Sequence, residues 1–138
     1  MNAEAMDRRI VNRKPAKLPV RFRVVRESTG MRVSDLVDGV IRDISKDGIA
    51  VETPEIVVDG LHISYDEHPA TKNRVYLQFE LPSKRSIKAV GETVWYERVS
   101  SAEPWFVVGV RFVEITAQDR AAIDEFLEDT VLDRPLPM

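Results

Sequence analysis

Hydrophobic and polar positions alternate along most of this chain. Val20, Phe22 and Val24 alternate with Arg21 and Arg23, a period of two that predicts a strand from Val20. Ser28-Thr29-Gly30 interrupts it, and Gly39–Asp43 and Gly48–Thr53 form two further β-rich runs either side of Ile44-Ser45-Lys46-Asp47. Pro54 to Asn73 is polar and turn-rich, and reads as a long loop with a short strand near Leu61. Val75, Leu77, Phe79 and Leu81 then share one face, Pro82–Ser86 turns, and a long strand runs from about Ile87 to Glu97. Trp105 to Val113 is apolar on both faces, as expected of a strand covered on both sides. These three strands read as a hairpin continued into a meander. Five or six strands at this spacing predict a small closed or nearly closed barrel.

The end of the chain changes period. Thr116 and Asp119 have the spacing of a capping box, and Ile123, Phe126, Leu127 and Val131 recur at helical intervals. One amphipathic helix over about 117–132 is expected to close the domain, with Pro135 and Pro137 ending it. At the other end, residues 1–19 lack periodicity and carry Pro15 and Pro19, so they are expected to form a flexible arm leading into a domain over 20–134.

The 138 residues suit one domain, with hydrophobic residues at 43% and charged residues at 31%. Without cysteine there is no disulfide framework, thiolate metal site or cysteine nucleophile. The longest apolar run, Trp105 to Val110, is too short to span a membrane, and the N-terminal residues show no secretory pattern. A cytoplasmic location is expected. Net charge is −3, but residues 1–26 hold eight Lys/Arg against two acids (+6) and the remainder twelve against twenty-one (−9). A basic arm on an acidic body suits a compact anionic ligand and disfavours a long DNA duplex.

Enzymatic chemistry finds little support. The six glycines are too dispersed for a phosphate loop, and His62 and His68 match no helix or hairpin chelate, so they read as solvated loop residues rather than metal ligands. Nothing assembles a nucleophile, a base and an orienting group, and no catalytic residue is expected. Two features remain. Arg8, Arg9 and Arg13 place three guanidiniums within six residues, each able to bind phosphate through two parallel hydrogen bonds or to stack on a base. Taken alone, such a segment is more often a solvated basic tail. Asp43-Ile44-Ser45-Lys46-Asp47-Gly48 offers an acceptor, a hydroxyl and a glycine that permits a positive-φ turn or close approach of a ligand. Taken alone, it is more often an ordinary turn whose side chains satisfy the local backbone.

In order, on a barrel closed by a helix, Arg9-x-x-x-Arg13 and Asp43-x-Ser45-x-x-Gly48 resemble the two motifs of the PilZ domain family. Gly91, Val94 and Trp95, then Gly109-Val110-Arg111-Phe112, extend the likeness from about Asp7 to Leu132. The resemblance implies a mainly β, six-stranded antiparallel split barrel with a C-terminal helix. It also implies binding of the bacterial second messenger cyclic di-GMP, without a cofactor or metal. Arg9, Arg13, Asp43, Ser45 and Gly48 match the family's ligand positions, Arg8 precedes them, and Trp95 matches an aromatic position found near the site in some members. Such an arginine set implies two stacked ligand molecules per chain, and a downstream protein that reads the ordered arm. The ligand's chemistry agrees: its phosphates and guanine O6/N7 edges suit arginine, while its N1–H and N2–H₂ donors call for an acceptor such as Asp43. Two other readings stay open at this point. One is a PilZ-like protein-interaction module that binds no nucleotide; the other is an OB-like single-strand binder, which the acidic body disfavours.

Overall fold

The computed structural model describes residues 13–28, 30–65, 71–99 and 105–132. Nine strands and a helix appear among them: β1 (Arg13–Arg26), β2 (Arg32–Val33), β3 (Val37–Ser45), β4 (Gly48–Thr53), β5 (Val57–Val58), β6 (Leu61–His62), β7 (Arg74–Glu80), β8 (Ser86–Arg98), β9 (Phe106–Ile115) and α1 (Ala117–Leu132). The sheet order is β2-β1-β3-β4-β9-β8-β7, and β7 pairs back onto β1. Six strands therefore close an antiparallel barrel, with β2 as a short appendage on the end of β1.

Alternation fills the interior. Val20, Phe22 and Val24 of β1 meet Ile41 and Ile44 of β3, Ile49 and Val51 of β4, Val75, Leu77 and Phe79 of β7, Ile87 of β8, and Val108, Val110 and Phe112 of β9. Among the described residues the barrel interior is filled by these packed side chains.

Each end is plugged by a different device. At one end α1 contributes Ile123, 1% exposed, with Phe126 and Leu127 beside it. The Thr116 hydroxyl caps the helix by accepting from Asp119 N at 3.1 Å. The Asp119 carboxylate does not reach back to complete a box. It accepts instead from Arg85 Nη2 (3.0 Å) and Nε (3.3 Å) and from Lys88 N (3.2 Å), which fastens the helix start to β8. Lys14 adds a tie from β1: its ammonium donates to Phe126 O at 3.2 Å and sits 3.9 Å from the centre of the Phe126 ring.

At the opposite end the segment expected to be a polar loop is partly core. Val58, Leu61 and Ile63 are buried under the barrel, and β5 and β6 form a tight hairpin through Asp59 (φ 52°) and Gly60 (φ 79°), a turn with both central residues left-handed. Asn73 Nδ2 donates to His62 O (2.8 Å) and Tyr65 O (3.0 Å), and Thr93 Oγ1 donates to Ile63 O (3.0 Å). His62 is accordingly half-buried rather than solvated. Its Nδ1 accepts from Ser64 N at 3.0 Å, its ring lies edge-on to Tyr96, and burial holds its pKa below the usual histidine value. His68 lies outside the described residues.

Residues 13–19 fall within the arm expected over 1–19. They belong to β1 and pair with β3. Pro15 borders a bulge where the register shifts between Pro15 and Leu18, a place where a strand tolerates a residue without an N–H. The first twelve residues, which include Arg8 and Arg9, lie outside the described residues.

Candidate ligand-binding site

The two motifs meet through register. Arg13 pairs with Ser45 and Pro15 with Asp43 across β1 and β3, so residues thirty positions apart in sequence become cross-strand neighbours on the outer wall. Arg13 Nη1 lies 3.7 Å from Asp43 Oδ2, with 28% and 18% of the two side chains exposed. A bulge between Ile41 and Asp43 turns Asp43 outward while Ile44, one residue on, stays in the core. The guanidinium keeps donors free beyond this contact, and the carboxylate keeps acceptor capacity.

The row continues around the barrel. Asp43 pairs with Ala50, Ala50 with Gly109, and Gly109 with Trp95, placing four strands' outward positions in one line. Ala50 and Gly109 are small, buried members of the row, and the Trp95 indole covers Gly109: a Cβ there would come within 2.8 Å of Trp95 Cδ1 and closer to its neighbouring ring atoms. The shelf is thus walled by a planar aromatic on one side and by the Arg13–Asp43 pair on the other. Planar ligands with anionic edges fit such a surface chemically.

Ser45 and Gly48 have different work. Ser45 Oγ accepts from Gly48 N (3.1 Å) and Asp47 N (3.3 Å) and donates to Gly48 O (3.2 Å), closing the turn between β3 and β4. Phe112 N donates to Asp47 O at 2.8 Å, which pins that turn against β9. Gly48 is not in the left-handed region, and what it permits is approach of backbone. A Cβ there would clash with the Val110 carbonyl and lie 3.1 Å from Arg111 Cα. These contacts are those of a turn, and Asp43 faces outward beside it with an acceptor.

One cation on this wall carries no expectation from the sequence. Arg111 pairs with Gly48 in register and is 59% exposed, held loosely by Glu92 at 3.8 Å. Its signal was present in Gly109-Val110-Arg111, where alternation puts Gly109 and Arg111 on one face. Among the described residues no group of three or more His, Asp or Glu side chains is arranged to hold a metal, and no helix is long and apolar enough to cross a membrane.

Comparison with known proteins now defines the class. The PilZ domain family model matches residues 7–129, and the chain belongs to that family. The fold is similar to the PilZ domain with c-di-GMP of YcgR from Escherichia coli, at a TM-score of 0.57 and 7% identity over 88% of this chain and 89% of that one. It is similar to the Bacillus subtilis inhibitor of motility MotI/DgrA, at 0.57 and 20% over 89% of this chain. It is also similar to the Borreliella burgdorferi PlzA protein in complex with c-di-GMP, at 0.51 and 13% over all of this chain. The chain spans about half of the latter two, 51% and 52%. No curated protein matches it in sequence.

Proposed function

We propose that this protein is a cyclic di-GMP receptor that passes the signal to a partner protein, acting by binding and not by catalysis. The observation that carries the reading is the outer wall of a PilZ domain where Asp43 stands in one cross-strand row with Ala50, Gly109 and Trp95 and Arg13 lies 3.7 Å from the Asp43 carboxylate. Arginine binds the phosphates and the guanine O6/N7 edge, Trp95 stacks, and Asp43 accepts from guanine N1–H and N2–H₂. Arg8 and Arg9 complete the cationic set from the segment preceding β1 and fold over the ligand, changing the surface offered to the partner. Two stacked ligand molecules per chain engage the three arginines. Ser45 and Gly48 contribute by shaping the turn that presents Asp43. The two complexes named above hold c-di-GMP on this same fold, which supports the choice of ligand. The acidic balance of the body, −9 over residues 27–138, argues against an extended nucleic acid in its place.

Calorimetric titration of the chain with cyclic di-GMP, cyclic di-AMP and GTP tests the reading, with Asp43→Ala as the informative variant. The parent should prefer cyclic di-GMP strongly, because adenine would place its N1 lone pair against the carboxylate. Asp43→Ala should bind more weakly and with a narrower preference, losing about 1–3 kcal/mol. Heat from none of the three ligands would refute the receptor reading and leave an interaction module.

A further inference from the structure

Beside the shelf, on the same outer wall, β1 and β3 come apart. Their register jumps from Pro15–Asp43 to Leu18–Ile41, leaving Ala16 and Lys17 on one strand and Arg42 on the other without a cross-strand partner. The two irregularities face each other and open a groove of about 640 Å³, lined by Pro15, Ala16, Lys17, Val40, Arg42 and Glu52. Lys17 and Arg42 are exposed, and neither makes a hydrogen bond or ion pair with any described residue. Glu52 is half-buried on β4 and also lacks an ion pair. Pro15, Ala16 and Val40 supply an apolar lining between these charges.

Elsewhere on the barrel some exposed charges pair, while others, such as the Lys46 and Lys88 side chains, pair with no described residue. Arg21 meets Asp38 at 3.2 Å, and Arg74 lies between Glu27 (3.4 Å) and Glu92 (3.7 Å). Two cations and a carboxylate left without partners around an apolar recess form a set of the kind an external ligand completes. Arg42 offers a planar fork for a phosphodiester, Lys17 a point charge, and Glu52 an acceptor for N–H donors on a base edge. The recess lies next to Asp43, since Arg42 adjoins Asp43 in the chain and Pro15 is Asp43's partner on β1.

We infer that this double-bulge groove is a second nucleotide subsite, taking a guanylate unit with its phosphate on Lys17 and Arg42 and its base edge on Glu52. The inference rests on the cyclic di-GMP reading and extends it: a ligand seated on the shelf reaches past Asp43 into the groove. The bulges then have a binding role, holding two strands apart where a regular ladder would leave no recess.

The test is calorimetric titration of the whole chain with cyclic di-GMP, comparing the parent, Lys17→Ala/Arg42→Ala, and a control of equal charge, Arg21→Ala/Lys88→Ala. The control residues line a different groove on β1, β7 and β8. All four side chains are exposed, so thermal midpoints should stay close to the parent's and verify folding. The groove pair should lose at least tenfold in affinity while the control stays within about twofold, and Glu52→Ala should narrow the preference over cyclic di-AMP. Equal affinity of the groove pair and a binding parent would overturn the subsite alone. Equal losses in both pairs would reduce it to diffuse charge and overturn it too. A parent that does not bind overturns both the subsite and the receptor reading.

Discussion

Replacing Gly48 by alanine separates two roles for the last residue of the second motif. If that glycine is needed so that a ligand can approach, a methyl group there should leave stability alone and weaken binding. The geometry dictates otherwise. A Cβ at 48 would overlap the Val110 carbonyl oxygen and stand 3.0 Å from its carbon and 3.1 Å from Arg111 Cα, all of it backbone of the paired strand. Relief requires β4 and β9 to move apart by about an ångström at the turn that Phe112 N and Asp47 O hold together. Overpacking of this sort costs about 1–3 kcal/mol, and a weakened ladder hydrogen bond adds about 1 kcal/mol. We expect Gly48→Ala to lose roughly 2–4 kcal/mol, lowering Tm by about 10 °C. Gly109→Ala is the matched comparison, because its obstacle is the Trp95 indole rather than backbone. The ring can rotate away, giving up about 1–2 kcal/mol of contact while removal of a strand glycine returns about 0.5–1 kcal/mol. Net stability should stay within about 1 kcal/mol of the parent, with a change in tryptophan emission. Urea unfolding with unchanged m-values measures both. A Gly48→Ala protein as stable as the parent, or a Gly109→Ala protein equally damaged, would refute the reasoning.

Two further outcomes follow from the plugs at the barrel ends. Asp119→Ala removes the acceptor for Arg85 and for Lys88 N at the helix start, and with Arg85 half exposed the loss should be about 1–3 kcal/mol in urea unfolding. Burial keeps the His62 pKa below 6.5, so in the window just under that value the unfolded chain binds more protons than the folded one. The contribution of His62 is therefore complete above 6.5 and declines as pH falls toward the folded pKa; thermal midpoints measured down that range should fall less in His62→Asn.

Most of the barrel was legible because each wall strand buries alternate residues against one core. Val75, Leu77 and Phe79 announce β7, and the doubly apolar run in β9 is buried on both faces at Val107 and Val108. Two parts were not legible for reasons that are physical. Pro15 and Pro19 argue against regular pairing, yet Pro15 borders a bulge, which leaves no trace in hydrophobic periodicity, and Pro19 pairs with Val40 beyond it. The loop over 54–73 looked polar because its three plugging residues, Val58, Leu61 and Ile63, follow neither period; the Asp59-Gly60 pair, a direct signal for a two-residue hairpin, was the better guide. Of the site, Asp43 and Arg13 were readable from their motifs, but their contact depends on a register that only the folded sheet sets.

That dependence gives the facing bulges of β1 and β3 a role, although register shifts also occur between β8 and β9 at Val90/Gly91 and Thr93/Trp95. A filled barrel can bind only on its outside, and a regular outer face is a ridged surface of alternating side chains with no recess. Recesses arise where side chains are missing or where strands separate. Ala50 and Gly109 provide the first along the row from Asp43 to Trp95, and the facing irregularities at 15–18 and 41–43 provide the second. The row runs on to Trp95, beside Thr93 and Tyr96 at the opposite plug. The facing irregularities adjoin the pinned β3–β4 turn, which with Asp119 and Lys14 belongs to the end closed by α1. A binding surface made of backbone irregularity needs such anchoring, because each bulge gives up ladder hydrogen bonds that would otherwise fix the register. The firmness of the helix end and the openness of the adjacent wall are therefore two sides of one design, with the anchored turn presenting Asp43 and the separated strands leaving room beside it.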